Sequence, residues 1–91
     1  MNIKYSDKSI KDLKSFPNPD RTLIVQKIHY LSENFELLKE SKKVTQLKGP
    51  ICENQYRFVV ARKIRILFNI EDDQIILLVL RIGFRKNIYA K

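Results

Sequence analysis

Apolar residues along this chain change their spacing once, from the three-and-four rhythm of helices to strict alternation, and the change falls near residue 55. Before it, Asn2 to Tyr5 reads as a short strand, and Ser6 or Asp7 offers an N-cap to a helix carrying Ile10 and Leu13 at helical spacing. Phe16-Pro17-Asn18-Pro19 stops that helix. Asn18 as N-cap, Pro19 at the first helical position and Asp20 in the first turn begin another. Ile24, Ile28, Leu31 and Phe35 then recur at i, i+4, i+7 and i+11, one stripe along the second helix. The pattern predicts a helix hairpin with a single apolar face. Residues 36–54, with the charged stretch Lys39 to Lys43 and the breakers Gly49-Pro50, read as a connector.

From Gln55 the period is two. Tyr56, Phe58 and Val60 alternate with Arg57, Val59 and Ala61, and Ile64, Ile66, Phe68 and Ile70 alternate with Arg65, Leu67 and Asn69. A three-residue loop at Ala61-Arg62-Lys63 sets Val60 opposite Ile64, Phe58 opposite Ile66 and Tyr56 opposite Phe68, collecting every large apolar residue on one face. A two-residue loop would set Phe68 against Arg57 and scatter the set. The three-residue register also brings Arg57 and Arg65 to the second face on neighbouring strands, close enough to meet one ligand. Glu71 to Gln74 is a turn. Ile75 to Leu80 is apolar on both faces, as for a central strand covered on both sides or set against a partner, and its register is not fixed by the pattern. Past Arg81-Ile82-Gly83 the alternation stops, leaving the basic and aromatic tail from Phe84 to Tyr89. The expected architecture is α+β, an N-terminal strand and helix hairpin packed on a mostly antiparallel sheet in the order β-α-α-β-β-β.

Ninety-one residues, 44% hydrophobic and 31% charged, give one folded domain over residues 1–91, with a net stability of roughly 5 to 14 kcal/mol. Most apolar residues are therefore needed for the core. The single cysteine, Cys52, excludes a disulfide framework and a cysteine-based zinc site. No apolar run approaches the length of a membrane span, and the first residues lack the pattern of a signal peptide, so the expectation is a cytoplasmic protein with no membrane partner.

Charge adds a partner class. The chain carries a net +8, and five of its six arginines (Arg57, Arg62, Arg65, Arg81, Arg85) lie in the second half. A positive surface raises the encounter rate with polyanions, and the planar guanidinium holds phosphate in fixed geometry where lysine acts as a point charge. Glycine-rich nucleotide motifs are absent, and one histidine with one cysteine makes no metal cluster. His29 reads as an ordinary helix residue and Cys52 as a small packed one. Lys48, Arg57, Arg65, Arg85 and Tyr89 are the residue types of a phosphate-handling site: guanidinium groups for nonbridging oxygens, a phenol or amine for moving protons.

Leu47-Lys48-Gly49, Tyr56-Arg57, the run Ile64 to Asp73 and the ending Val79 to Tyr89 closely resemble the RelE/ParE superfamily of bacterial toxins, and the preceding strand and helices fit the same order. The resemblance implies the toxin of a type II toxin–antitoxin pair. RelE-like members are ribosome-dependent mRNA endonucleases, held inactive by a cognate antitoxin whose C-terminal segment wraps the toxin. On this resemblance Arg65 and Arg85 stabilise charge in the transition state, Tyr89 completes the catalytic set, and Lys48, Arg57, Arg81 and Lys86 bind RNA, with no metal and no cofactor. Two departures stand out. Many relatives read Gly-His-Arg where this chain reads Gly83-Phe84-Arg85, so Arg85 or Lys86 has to replace an imidazole acid. Some have two basic residues on the second strand, where Val59 takes the second place. ParE-like members share the fold and inhibit DNA gyrase instead, which is the alternative reading.

Overall fold

The computed structural model describes residues 1–48 and 55–84. Strand β1 (Asn2–Tyr5) is followed by helices α1 (Asp7–Lys14), α2 (Asn18–Glu33) and α3 (Phe35–Glu40), then by strands β2 (Val44–Gln46), β3 (Gln55–Val60), β4 (Ile64–Glu71) and β5 (Ile76–Phe84). The strands form one sheet in the order β1-β5-β4-β3-β2, antiparallel except for β1, which runs parallel to β5. The architecture is α+β, as the residue pattern predicts.

The β3–β4 register is the three-residue-loop register in every pair, from Gln55 opposite Asn69 to Val60 opposite Ile64. Ala61 and Arg62 turn the chain with φ of 52° and 65°, left-handed values that non-glycine residues adopt at some cost. The reward is the core face. Phe58, Val60, Ile64, Ile66 and Phe68 are all buried and meet Ile24, Ile28 and Leu31 of α2, each with no exposed surface. Phe35 stands edge-on to Tyr56 and Phe68, with centroids 5.2 and 6.2 Å away, while Tyr56 and Phe68 stack at 5.6 Å. Edge-to-face and offset contacts of this kind add to the stabilisation from burial alone.

Several expectations are corrected. The helical part is three helices, because Asn34 breaks the second: its φ/ψ of −129°/26° is not helical and its side-chain amide donates to the Tyr30 carbonyl at 2.9 Å. The region 36–54 is more than a connector, since α3 ends at Glu40 and β2 pairs Val44, Thr45 and Gln46 with Phe58, Arg57 and Tyr56. A three-residue strand flanked by lysines carries too little alternation to be read from sequence, and its shortness blunts the sheet edge. Pro17, not Asn18, is the N-cap of α2, and it makes no side-chain cap. Ser6 is the cap of α1, accepting the Ser9 amide at 3.1 Å. Ile10 is exposed and Ser9 takes the buried position, where its hydroxyl donates to the Ser6 carbonyl at 2.8 Å. A small side chain there lets α1 sit close to β5.

β5 is interior to the sheet, between β1 and β4. Leu77 and Val79 are buried in the core, while Ile76, Leu78 and Leu80 are only partly covered on the other face. A register shift between Leu67 and Phe68, whose partners are Arg81 and Val79, leaves Leu80 as the extra residue of a bulge.

Candidate functional site

Face and register place the arginines. The sheet surface opposite the core carries Gln55, Arg57 and Val59 on β3, Arg65, Leu67 and Asn69 on β4, and Leu78 on β5, all partly buried. Arg57 lies between Thr45 and Leu67 on the neighbouring strands, and Arg65 between Val59 and Gly83. The two arginines are diagonal neighbours, about 7 to 8 Å apart. Gly83 contributes no side chain beside Arg65.

Neither arginine has an acidic partner: among the described residues the one ion pair is Arg81 to Asp12. The Nε atoms of Arg57 and Arg65 are buried without a hydrogen-bond partner, as is the Asn69 Oδ1. Buried donors are normally satisfied, and two adjacent guanidinium groups with orphaned Nε donors and, among the described residues, no acidic partner make a surface suited to an anion with several acceptor oxygens. Arg62 and Lys63 at the exposed β3–β4 turn extend the positive strip. The opposite end of β4 is acidic: Glu71, Asp72 and Asp73 border an open depression of about 500 Å³ together with Tyr56, Asn69 and Gln74. Phosphate is repelled there and attracted at the Arg57–Arg65 end.

The remaining sequence-predicted residues divide. Lys48 is exposed just past β2, whose extension continues through the Leu47 amide to the Gln55 carbonyl at 2.9 Å. Arg81 stands opposite Leu67, but its Nε donates to Asp12 Oδ2 at 2.8 Å and its Nη2 to Oδ1 at 3.3 Å. The hydrogen bond to Asp12, reinforced by its charge, raises the guanidinium above its already high ordinary pKa. Arg81 therefore has a structural partner that sequence reasoning did not supply, since nothing in the pattern linked α1 to β5. Arg85, Lys86 and Tyr89 lie outside the described residues, as does Cys52. Phe84, the residue in the place of a histidine, sets its ring 5.8 Å from that of Phe16. His29 is exposed on α2.

No family model matches the sequence, and no curated protein matches it. Solved structures do match. The chain superposes on the toxin–antitoxin complex RelBE2 of Mycobacterium tuberculosis with a TM-score of 0.73 at 16% identity, covering 92% of this chain and 96% of that one. This is the RelE-like toxin fold. The RelB–RelE antitoxin–toxin complex of Methanococcus jannaschii gives 0.69 at 28% identity over 94% of each chain. The YoeB/ParE toxin of Agrobacterium tumefaciens gives 0.65 at 19% identity, over 93% of this chain and 99% of that one. Fold coverage is thus nearly complete on both sides, and the RelE-like chain order extends from β1 to β5.

Proposed function

We propose that this chain is the toxin of a type II toxin–antitoxin system, a ribosome-dependent mRNA endonuclease acting in the cytoplasm and neutralised by a cognate antitoxin. The observation that carries the reading is the pair Arg57 and Arg65, on neighbouring strands of the sheet face opposite the core and, among the described residues, without acidic partners. The shared fold supports it. In the proposed reaction the RNA's own 2′-OH attacks the adjacent phosphate and the 5′-oxygen leaves. The protein supplies no nucleophile; it orients the strand, neutralises the charge that builds on the nonbridging oxygens, and moves protons. Arg65 takes the phosphate, with Arg85 joining it from the segment that follows β5. Tyr89 is the proton-moving phenol, and Lys48, Arg57 and Lys86 hold the flanking backbone. Arg81 contributes positive charge to the same RNA path while it remains tied to Asp12. No metal ion or cofactor enters the scheme.

Induction of the chain alone tests this directly. Growth should stop with translation blocked, and primer extension should show cuts within codons at the ribosomal A site. One observation favours a second reading, inhibition of DNA gyrase by a non-nuclease toxin: Phe84 packs on Phe16 where an imidazole acid would otherwise stand. Whole transcripts with rising DNA-damage signalling would replace the nuclease reading with that one.

A further inference from the structure

The end of β5 is held on one side by an unusual partner. β1 pairs with β5 only from Ile76 to Val79, so among the described residues Leu80 to Phe84 have no strand on that side. Ser6 takes over first, its amide donating to the Val79 carbonyl at 2.9 Å and its hydroxyl to the Leu80 carbonyl at 2.8 Å. Asp12 takes over next. Its Oδ2 accepts both the Ile82 amide at 2.9 Å and Arg81 Nε at 2.8 Å, and its Oδ1 accepts Arg81 Nη2 at 3.3 Å. One carboxylate thus takes the place of a neighbouring strand at the Ile82 amide and ties down the preceding Arg81 side chain, just after the Leu80 bulge and immediately before the Gly83 that lies opposite Arg65.

We infer that Asp12 is a positioning residue: by clamping Arg81 and Ile82 it fixes the register of Gly83 opposite Arg65 and of Phe84 opposite Ile64. The inference rests on the nuclease reading for its catalytic consequence, and on the clamp alone for its structural one. A bulge shifts strand register locally, and the unpaired edge beyond it would otherwise be free to slide or fray. A carboxylate that accepts a backbone amide and a guanidinium together is a strong clamp, because both bonds are charge-assisted. Its cation, Arg81, is covalently next to the amide it also holds, so both bonds fix the same peptide unit. Asp12 touches neither the scissile phosphate nor Arg65 in this scheme.

The test compares Asp12→Ala, Asp12→Asn and, as a stability control, Leu13→Ala, which trims the neighbouring apolar contact of α1 and leaves the clamp in place. Amide exchange in the native state should speed up about tenfold or more at Ile82, Gly83 and Phe84 in Asp12→Ala, with β3 unchanged. Asp12→Asn keeps an acceptor oxygen and should recover most of that protection. In a ribosome-dependent cleavage assay Asp12→Ala should lower kcat about tenfold or more with KM within about twofold. Asp12→Asn should restore kcat to within about threefold of wild type, and Leu13→Ala should leave it unchanged. Unchanged exchange at Ile82 in Asp12→Ala overturns the clamp. Faster exchange with unchanged kcat overturns its catalytic role, as does an equal loss of kcat in Leu13→Ala. If wild type cleaves nothing, the nuclease reading fails and the catalytic half of the inference falls with it, while the exchange data still decide the clamp.

Discussion

Replacing Arg65 by methionine should make the protein more stable and abolish its proposed activity. The Arg65→Met side chain keeps an unbranched apolar stem of similar length, so packing against Val59 is retained. It removes a buried Nε that has no hydrogen-bond partner, a group whose desolvation costs about 1 to 3 kcal/mol. It also removes one of two like charges on neighbouring strands, a repulsion that salt screens. Partial exposure and the freedom of the guanidinium to turn toward water cut both contributions, leaving a net gain of about 1 kcal/mol. For a domain of this size that is about 4 to 8 °C in Tm. Urea unfolding at 0.05 M and 1 M salt separates the two terms, because the Debye length falls to about 3 Å at 1 M and screens the repulsion but not the orphaned donor. Cleavage, by contrast, should fall about a hundredfold or more, as for loss of a donor that stabilises an oxyanion. Destabilisation by more than about 1 kcal/mol would show instead that the guanidinium holds the sheet together.

Four further outcomes follow from the same structure. Phe35→Ala, which deletes a ring only 2% exposed between Tyr56 and Phe68, should cost about 3 to 5 kcal/mol in urea unfolding. Ser6→Ala removes both the α1 cap and the bond to Leu80 and should cost about 1 to 2 kcal/mol by the same measurement. Burial raises the Tyr5 phenol above its ordinary pKa, so the unfolded chain loses that proton first and stability falls as pH rises above about 10; thermal melts of Tyr5→Phe should lack this part of the decline. Binding of single-stranded RNA, followed by fluorescence anisotropy, should weaken with salt at a log-log slope of about −3 if about four phosphates are neutralised, and more shallowly in Arg57→Ala.

The legible parts of the fold are those where one periodicity runs long enough to exclude its rivals. β3 and β4 alternate over six and eight residues, and only one loop length brings Tyr56, Phe58, Val60, Ile64, Ile66 and Phe68 to one face, so the register of the arginines is fixed as well. The stripe Ile24, Ile28, Leu31 and Phe35 is equally decisive about what is buried, although it could not show that Phe35 begins a new helix, since a break at Asn34 preserves the side on which the ring emerges. β2 was hidden because three residues hold less than two periods. Asp12 was hidden for a different reason: its partners are 69 and 70 residues away, and an acidic residue among the lysines of a short amphipathic helix looks like surface. The positions of Arg57 and Arg65 were therefore readable as geometry, whereas the tie on Arg81 required the three-dimensional path of α1 across the end of β5.

The two sheet faces divide the work between stability and recognition. The large side chains of the core lie on one face, held by α2 and α3, and the opposite face contributes two arginines without acidic partners among the described residues, together with partly covered aliphatic residues. A substitution on the second face leaves the core register untouched, so that face is free to change its target while the chain keeps its fold. This accounts for a fold shared almost end to end with toxins of low sequence identity. It also explains why shared fold leaves the choice between RNA and gyrase open, since fold fixes where the face is and the residues on it decide what it meets. The unpartnered donors argue for an oxygen-rich anion on that face, and an acidic antitoxin segment offers carboxylates where RNA offers phosphates. On the proposed function both ligands would compete for the same guanidinium groups, so antitoxin and RNA are expected to exclude one another. An antitoxin that bound wild type and an Arg57→Ala/Arg65→Ala/Arg85→Ala variant equally well would have to inhibit from elsewhere, and this account of neutralisation would fail.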